Sequence, residues 1–189
     1  QIDDIARAVG INRAIIYRHF TTKEELFAMT LVEYLTELEV RLNEVGKSGK
    51  PPTERLLAIT DEFFIYGAKY PAFVDCAQSL LRQRGSELLQ QISVERLTEL
   101  GEVINRCFAQ VTAAIIEGNE NGTFDVEDPE LVTNIMYTQG LGVLNLVTFQ
   151  LSIRELNSGL PTMDHLPMPD VVKVAQRAIL GMLMPNDKA

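Results

Sequence analysis

The sequence predicts an all-α protein, and three observations carry that prediction. Apolar residues recur at i, i+3, i+4 and i+7 through nearly every segment, while no stretch alternates apolar and polar residues as a half-buried strand does. Gly, Pro, Ser, Thr and Asp stand at the intervals where helices stop and start. The chain has 189 residues, of which 46% are hydrophobic, enough for a substantial core. No internal repeat or low-complexity tract interrupts the pattern.

The first element is a helix on which Ile2, Ile5, Ala6 and Val9 share one face. Gly10 ends it, since glycine takes the left-handed conformation of a helix C-terminus without steric penalty. Asn12 is then a good N-cap for a second helix beginning at Arg13. On that second helix Ile16 and Phe20 are four apart and dock on the first, which leaves Arg13, Ala14, Tyr17 and Arg18 outward. Thr22 followed by Lys23-Glu24-Glu25 is a capping box, with Glu25 at the third helical position, so a third helix starts at Lys23.

Two short helices joined by a tight turn and ending in a basic, aromatic surface outline a helix-turn-helix DNA reader. Arg13 and Arg18 carry a planar fork that pairs with guanine edges or phosphates. Ala14 allows close approach and contact with a thymine methyl, and the Tyr17 hydroxyl suits a phosphate oxygen. The macrodipole disfavours a cation such as Lys23 at a helix N-terminus, whereas a phosphate bound there uses both the ammonium and the free N–H groups. The competing reading is an ordinary helical hairpin with surface arginines. A turn glycine, an N-cap, outward Arg and Tyr and a capping box, all in register, favour the reader.

The run DDIARAVGINRAIIYRHFTTKEELF resembles the DNA-binding signature of the TetR/AcrR family of helix-turn-helix transcriptional regulators. Ile5-Ala6, Gly10, Tyr17, His19-Phe20 and Lys23-Glu24-Glu25-Leu26 carry the resemblance. It implies a recognition helix over Arg13 to His19, which includes Ile15 and His19, with Tyr17 and Lys23 as phosphate contacts. It also implies a further amphipathic helix ahead of Gln1 and a bacterial homodimer. The body would bind a small, mostly apolar effector that releases a repressor from its operator. The expected division is a DNA-binding domain over residues 1–45 and an effector-binding and dimerisation domain over 46–189.

Charge distribution agrees with this division. The net charge is −9, yet residues 1–23 hold four basic groups (Arg7, Arg13, Arg18, Lys23) against two acidic ones (Asp3, Asp4), a local +2 that leaves −11 for the rest. Exposed charges beyond about 10 Å are screened at 0.1 M salt, so the local value is what a DNA backbone meets.

Past Lys23, an apolar stripe from Leu26 to Leu42 defines a long helix over 23–45, and the Gly- and Pro-rich stretch from Gly46 to Pro52 breaks it. A second helix spans Thr53 to Tyr70, and Pro71 opens a third that continues through Leu81. After Gly85, residues 86–117 form a short helix and a long one, with Leu88, Leu89, Ile92, Leu97, Leu100, Ile104, Phe108, Val111 and Ile115 inward. Gly118 and Gly122 close that region. Asp128-Pro129-Glu130 starts the next helix, which runs to about Asn157. A connector from Gly159 to Pro169 leads to a last helix over Asp170 to Met184.

The last two helices carry apolar faces longer than a monomer needs, with Val143, Val147 and Leu151 on one and Val174, Ala178 and Met182 on the other. Pairing two such hairpins gives a four-helix bundle and a homodimer, for which the operator is an inverted repeat. Intramolecular core is the plainer reading of the same faces. Phe63, Tyr66, Phe108 and Tyr137 are the candidate effector-pocket residues, although aromatics at helical spacing also serve as plain core. Gly140 and Gly142 lie inside a helix, where each costs about 1 kcal/mol relative to alanine. They permit close contact, a bend or room for a ligand, and the sequence does not choose between these.

An enzyme is not expected. His19 and His165 are the only histidines, and no phosphate-cradling glycine loop or nucleophile elbow accompanies them. No catalytic residue, cofactor or metal site is therefore assigned. Cys76 and Cys107 sit in apolar helical surroundings and read as buried free thiols. With no apolar run of roughly 18 residues and no signal-peptide pattern at Gln1, the expected location is the cytoplasm. The alternative function is a DNA-binding protein of the same shape that answers to a protein partner, or to no ligand, and its mark would be a filled core.

Overall fold

A computed structural model describes residues 18–47, 49–149 and 166–185. Among these are seven helices and no strand: α1 Lys23–Gly46, α2 Pro52–Lys69, α3 Pro71–Leu81, α4 Gly85–Gln91, α5 Val94–Glu120, α6 Pro129–Phe149 and α7 Met168–Leu183. The first expected helix, its turn and most of the second lie outside the described residues. So do the stretch beyond Phe149 and the connector through His165.

Capping follows the chemistry of the sequence, with one shift. Thr22 Oγ1 accepts the Glu25 N–H at 3.0 Å, as an N-cap should. The Glu25 carboxylate reaches back one residue further than a capping box requires, accepting from the Thr21 N–H at 2.8 Å and the Thr21 hydroxyl at 2.7 Å. Those two bonds hold its pKa below the ordinary carboxylate value. Ser93 caps α5, and Asp128 accepts the Leu131 N–H at 2.9 Å to cap α6. Pro52, Pro71 and Pro169 each sit in a first turn, where a missing N–H is harmless.

α1 is the axis of the body and packs against α2, α3 and α5. Its inward stripe of Ala28, Leu31, Leu35, Leu38 and Leu42 is buried, and with Phe64, Phe73 and Leu144 it forms the main core. A second cluster joins α2, α5, α6 and α7 through Leu56, Ile115, Phe124, Met136, Ile179 and Leu183.

Two expectations need correction. Gly118 does not close its helix, because α5 continues to Glu120 and the turn is made by Gly122 at φ 76°. Gly118 serves packing instead: a Cβ there would lie 1.9 Å from Cδ2 of the buried Phe124. Leu89 does not face inward. It is 63% exposed, since the two-turn helix α4 rests on the body through Leu88 and Ile92.

Candidate functional site

The described part of the expected reading head begins at Arg18. Arg18 and His19 end a helical turn with both side chains exposed, and Lys23 is exposed at the first position of α1. The Lys23 ammonium stands 4.8 Å from the centre of the Phe27 ring, a cation–π contact that holds the charge beside the N-terminal N–H groups of α1. Arg13, Ala14, Ile15 and Tyr17 lie outside the described residues.

The head is bonded to the body at two points. The Thr22 hydroxyl donates to the Gln91 carbonyl at the end of α4 at 2.6 Å, and Gln83 Nε2 donates to Glu24 Oε1 at 3.2 Å. The α3–α4 corner thus grips the start of α1. The rest of the linkage is α1 itself, whose 24 residues span about 36 Å at 1.5 Å per residue.

Inside the body, α1, α2, α5, α6 and α7 enclose a cavity of about 70 Å³. Leu35, Leu38 and Leu42 of α1 form one wall, Phe63 of α2 and Phe108 of α5 another, and Tyr137 and Gly140 of α6 a third. The rings of Phe63 and Phe108 lie 6.2 and 5.3 Å from that of Tyr137, within the range of favourable edge contacts. Gly140 makes this wall possible, because a Cβ there would fall 2.7 Å from Phe63 Cε1.

Three of the four predicted pocket residues, Phe63, Phe108 and Tyr137, therefore come together on one cavity. Tyr66 does not join them. Its ring is fully buried, stacks toward Tyr70 and Phe73, and points its hydroxyl at the Tyr34 carbonyl of α1, 2.8 Å away. Its role is to fasten α2 to α1. The aliphatic lining of Leu35, Leu38, Ile59, Ile104 and Ile179 was not singled out by sequence, since nothing in a leucine or isoleucine at a core position distinguishes a cavity wall from filled core.

No charged side chain among the described residues lines the cavity. Its other polar groups are occupied. Thr60 donates to the Leu56 carbonyl at 2.8 Å and Thr133 to the Pro129 carbonyl at 2.8 Å, and the Cys107 thiol donates to the Leu35 carbonyl at 3.4 Å. Burial pushes the Cys107 thiol up to about 12 and Cys76 up to about 11, so both are protonated and unreactive.

On the outer surface, α6 and α7 form an open apolar groove through Gly142, Val143, Leu146, Val174 and Ala178. Val174 is 67% exposed and Leu146 is 43% exposed. Of the remaining predicted interface residues, Val147 is half-buried, Leu151 lies outside the described residues, and Met182 packs inward on the second cluster. Gly142 has open space around it, unlike Gly140. No group of metal-ligating side chains occurs among the described residues, and no described helix is long and apolar enough to cross a membrane.

A single helix thus joins an exposed basic end to the wall of an apolar cavity. Residues 1–29 match the model of "Bacterial regulatory proteins, tetR family". The match covers the first 29 residues, and the rest of the chain shares its fold with solved regulators of that family.

The fold is similar to that of a tetR-family bacterial regulatory protein from Rhodococcus RHA1, with a TM-score of 0.70, 17% identity, and 98% of this chain and 86% of that chain covered. It is also similar to the ketosteroid transcriptional regulator KstR2 of Mycobacterium tuberculosis, with a TM-score of 0.65, 21% identity, and 98% and 85% covered. A third similar structure is the transcriptional regulator FadR from Bacillus subtilis in complex with stearoyl-CoA, with a TM-score of 0.66, 15% identity, and 96% and 88% covered. No curated protein matches the chain by sequence.

Proposed function

We propose that the protein is a homodimeric transcriptional repressor that binds an inverted-repeat operator and is released from it by a small apolar effector held in the body cavity. The observation that carries this reading is α1, a single helix with the exposed Lys23 at one end and three cavity-wall leucines further along. A ligand that pushes on Leu35, Leu38 and Leu42 reorients the helix on which the head is mounted. The grip of Thr22 on Gln91 and of Glu24 on Gln83 carries the same displacement through the α3–α4 corner.

The dimer of this proposal pairs the α6–α7 faces, whose exposed Val174 and Leu146 and small Gly142 and Ala178 suit close helix packing. Two copies related by a twofold axis set two recognition helices one DNA turn apart, about 34 Å, or a multiple of it. Release is a population shift: the effector favours a head spacing that no longer fits the operator, and by linkage operator DNA weakens effector binding by the same factor. One protein of similar fold, FadR from Bacillus subtilis, is described in complex with stearoyl-CoA, a ligand with a long hydrocarbon chain, which supports a ligand-responsive body. The cavity itself favours a small molecule over a protein partner as the signal, since a partner-driven regulator has no use for the space.

Selection of bound sequences from a random duplex pool tests the proposal, and an inverted repeat is the expected product. Enrichment of a single half-site, or none over random DNA, would overturn the dimeric repressor. On the recovered site, Arg18→Ala is expected to weaken specific binding by about 1–3 kcal/mol through loss of a base contact. Lys23→Ala weakens specific and random DNA alike and lowers the salt slope by about one, as loss of a phosphate contact does. Equal loss on both DNAs for Arg18→Ala would mean that Arg18 touches phosphate only.

A further inference from the structure

Tyr137 is, among the described residues, the one polar side chain of the cavity wall whose donor the fold leaves unused. Among the described residues its hydroxyl has no hydrogen-bond partner, whereas Thr60, Thr133 and Cys107 around it each donate to a backbone carbonyl. The oxygen is not sealed against protein either, since the fully enclosed unpartnered side-chain atoms are Gln83 Oε1 and Gln91 Oε1, both far from the cavity at the α3–α4 corner. Tyr137 is half-buried and its oxygen keeps accessible surface, so the hydroxyl on this otherwise apolar wall is free to take a partner from outside the chain. Water is a poor candidate. The cavity is several times larger than the roughly 10–15 Å³ that one water needs, yet an ordered water wants two to four polar partners and this lining is mostly hydrocarbon.

We propose that the effector is an uncharged lipophilic molecule bearing one hydrogen-bond-accepting oxygen, held by a hydrogen bond from the Tyr137 hydroxyl while Phe63, Phe108 and the α1 leucines enclose its hydrocarbon. The proposal rests on the reading of the cavity as the effector site and specifies the ligand's chemistry. The occupant's neutrality follows from the lining, which among the described residues has no Lys, Arg, His, Asp or Glu to balance an ion. A carboxylate or ammonium carried in would lose its hydration with nothing in exchange. The oxygen must be an acceptor because the phenol is a donor here. Burial raises the Tyr137 pKa well above its ordinary value, so the O–H stays on at any physiological pH. The tilted Phe108 ring at 5.3 Å and the edge-on Phe63 ring at 6.2 Å clamp the phenol, which aims the bond. An oxygen with a fixed partner and a hydrocarbon without one together give orientation as well as affinity.

Three eight-carbon probes separate the possibilities: 2-octanone, octane and octanoate at pH 8, each titrated by calorimetry and by thermal midpoint against the full chain and against Tyr137→Phe. For the unaltered protein, 2-octanone is expected to bind tightest, with octanoate at least about tenfold weaker, the discrimination that an unbalanced buried charge imposes. Tyr137→Phe is expected to weaken 2-octanone about tenfold, the effect of one lost hydrogen bond, while octane binding stays unchanged and thereby reports an intact cavity. Octanoate binding as tightly as 2-octanone, or Tyr137→Phe leaving 2-octanone unaffected while octane still binds, would overturn the ligand chemistry and leave the cavity as an effector site. No binding of any probe would overturn the effector reading itself.

Discussion

Gly118→Ala is expected to lower stability by about 3 kcal/mol or more, at the upper end of what overpacking a core does. The added methyl would meet Phe124 at Cδ2, Cε2 and Cγ, at 1.9, 2.4 and 2.7 Å. Contact as near the root of the ring as Cγ means that rotation about χ2 does not remove it, and rotation about χ1 would have to swing the whole ring out of its site. Phe124 is 3% exposed and is wedged between α5 and α7, so the ring has nowhere to retreat. The strain spreads along the turn that follows. The Asn119 side chain pairs with the Val126 N–H and carbonyl at 3.1 and 2.7 Å, and the Asp125 N–H donates to the Leu183 carbonyl at 2.9 Å. Displacing Phe124 therefore loosens the end of α7. At 2–4 °C per kcal/mol for a chain of this size, the thermal midpoint should fall by at least about 6–12 °C. Gly101→Ala is the control, since it sits in the same helix with nothing within 4 Å of the new methyl. It should gain up to about 1 kcal/mol from helix propensity. Equal midpoints for the two variants would mean that Gly118 has no packing role.

Gly118 also marks where sequence reading loses its grip. A glycine that permits a positive φ, such as Gly122, and one that makes room for a ring look alike on a helix near its end. The ring that decides the matter lies six residues on, across a turn. Helix order and type were legible because 3.6-residue periodicity and Pro and Thr signals are local properties, and α1 to α7 follow the expected succession. Which face of a short helix turns outward is not local. Leu89 went astray because only the tertiary seat of α4 chooses Leu88 and Ile92 over it. The cavity divides along the same line: rare, bulky residues such as Phe63, Phe108 and Tyr137 could be singled out in advance, whereas Tyr66, three residues from Phe63, turns to a backbone carbonyl on α1 that no spacing rule reveals. Gly140 and Gly142, indistinguishable in sequence, prove to differ in kind. One accommodates Phe63 and the other borders the α6–α7 groove.

Phe73→Ala is expected to cost about 3–5 kcal/mol, the usual range for removing a fully buried phenylalanine. The ring is completely enclosed and meets Tyr66, Phe63 and Tyr34 at centroid distances of 5.6, 6.0 and 6.3 Å, so it ties α3 to both α2 and α1. Its position gives the loss a functional signature beyond a lower midpoint. Phe73 backs the Phe63 ring on the side away from the cavity, and with that support gone Phe63 is free to lean into the void and widen the space beside Tyr137. An apolar ligand that fills the enlarged cavity then recovers part of the stability by mass action. In calorimetric scans the variant should melt far below the unaltered protein without ligand, and a saturating ten-carbon ketone should raise its midpoint more than that of the unaltered protein. A variant that is destabilised but gains no more from the larger ketone would place Phe73 in the core alone, with Phe63 held in position by Gly140 and Tyr137 without it.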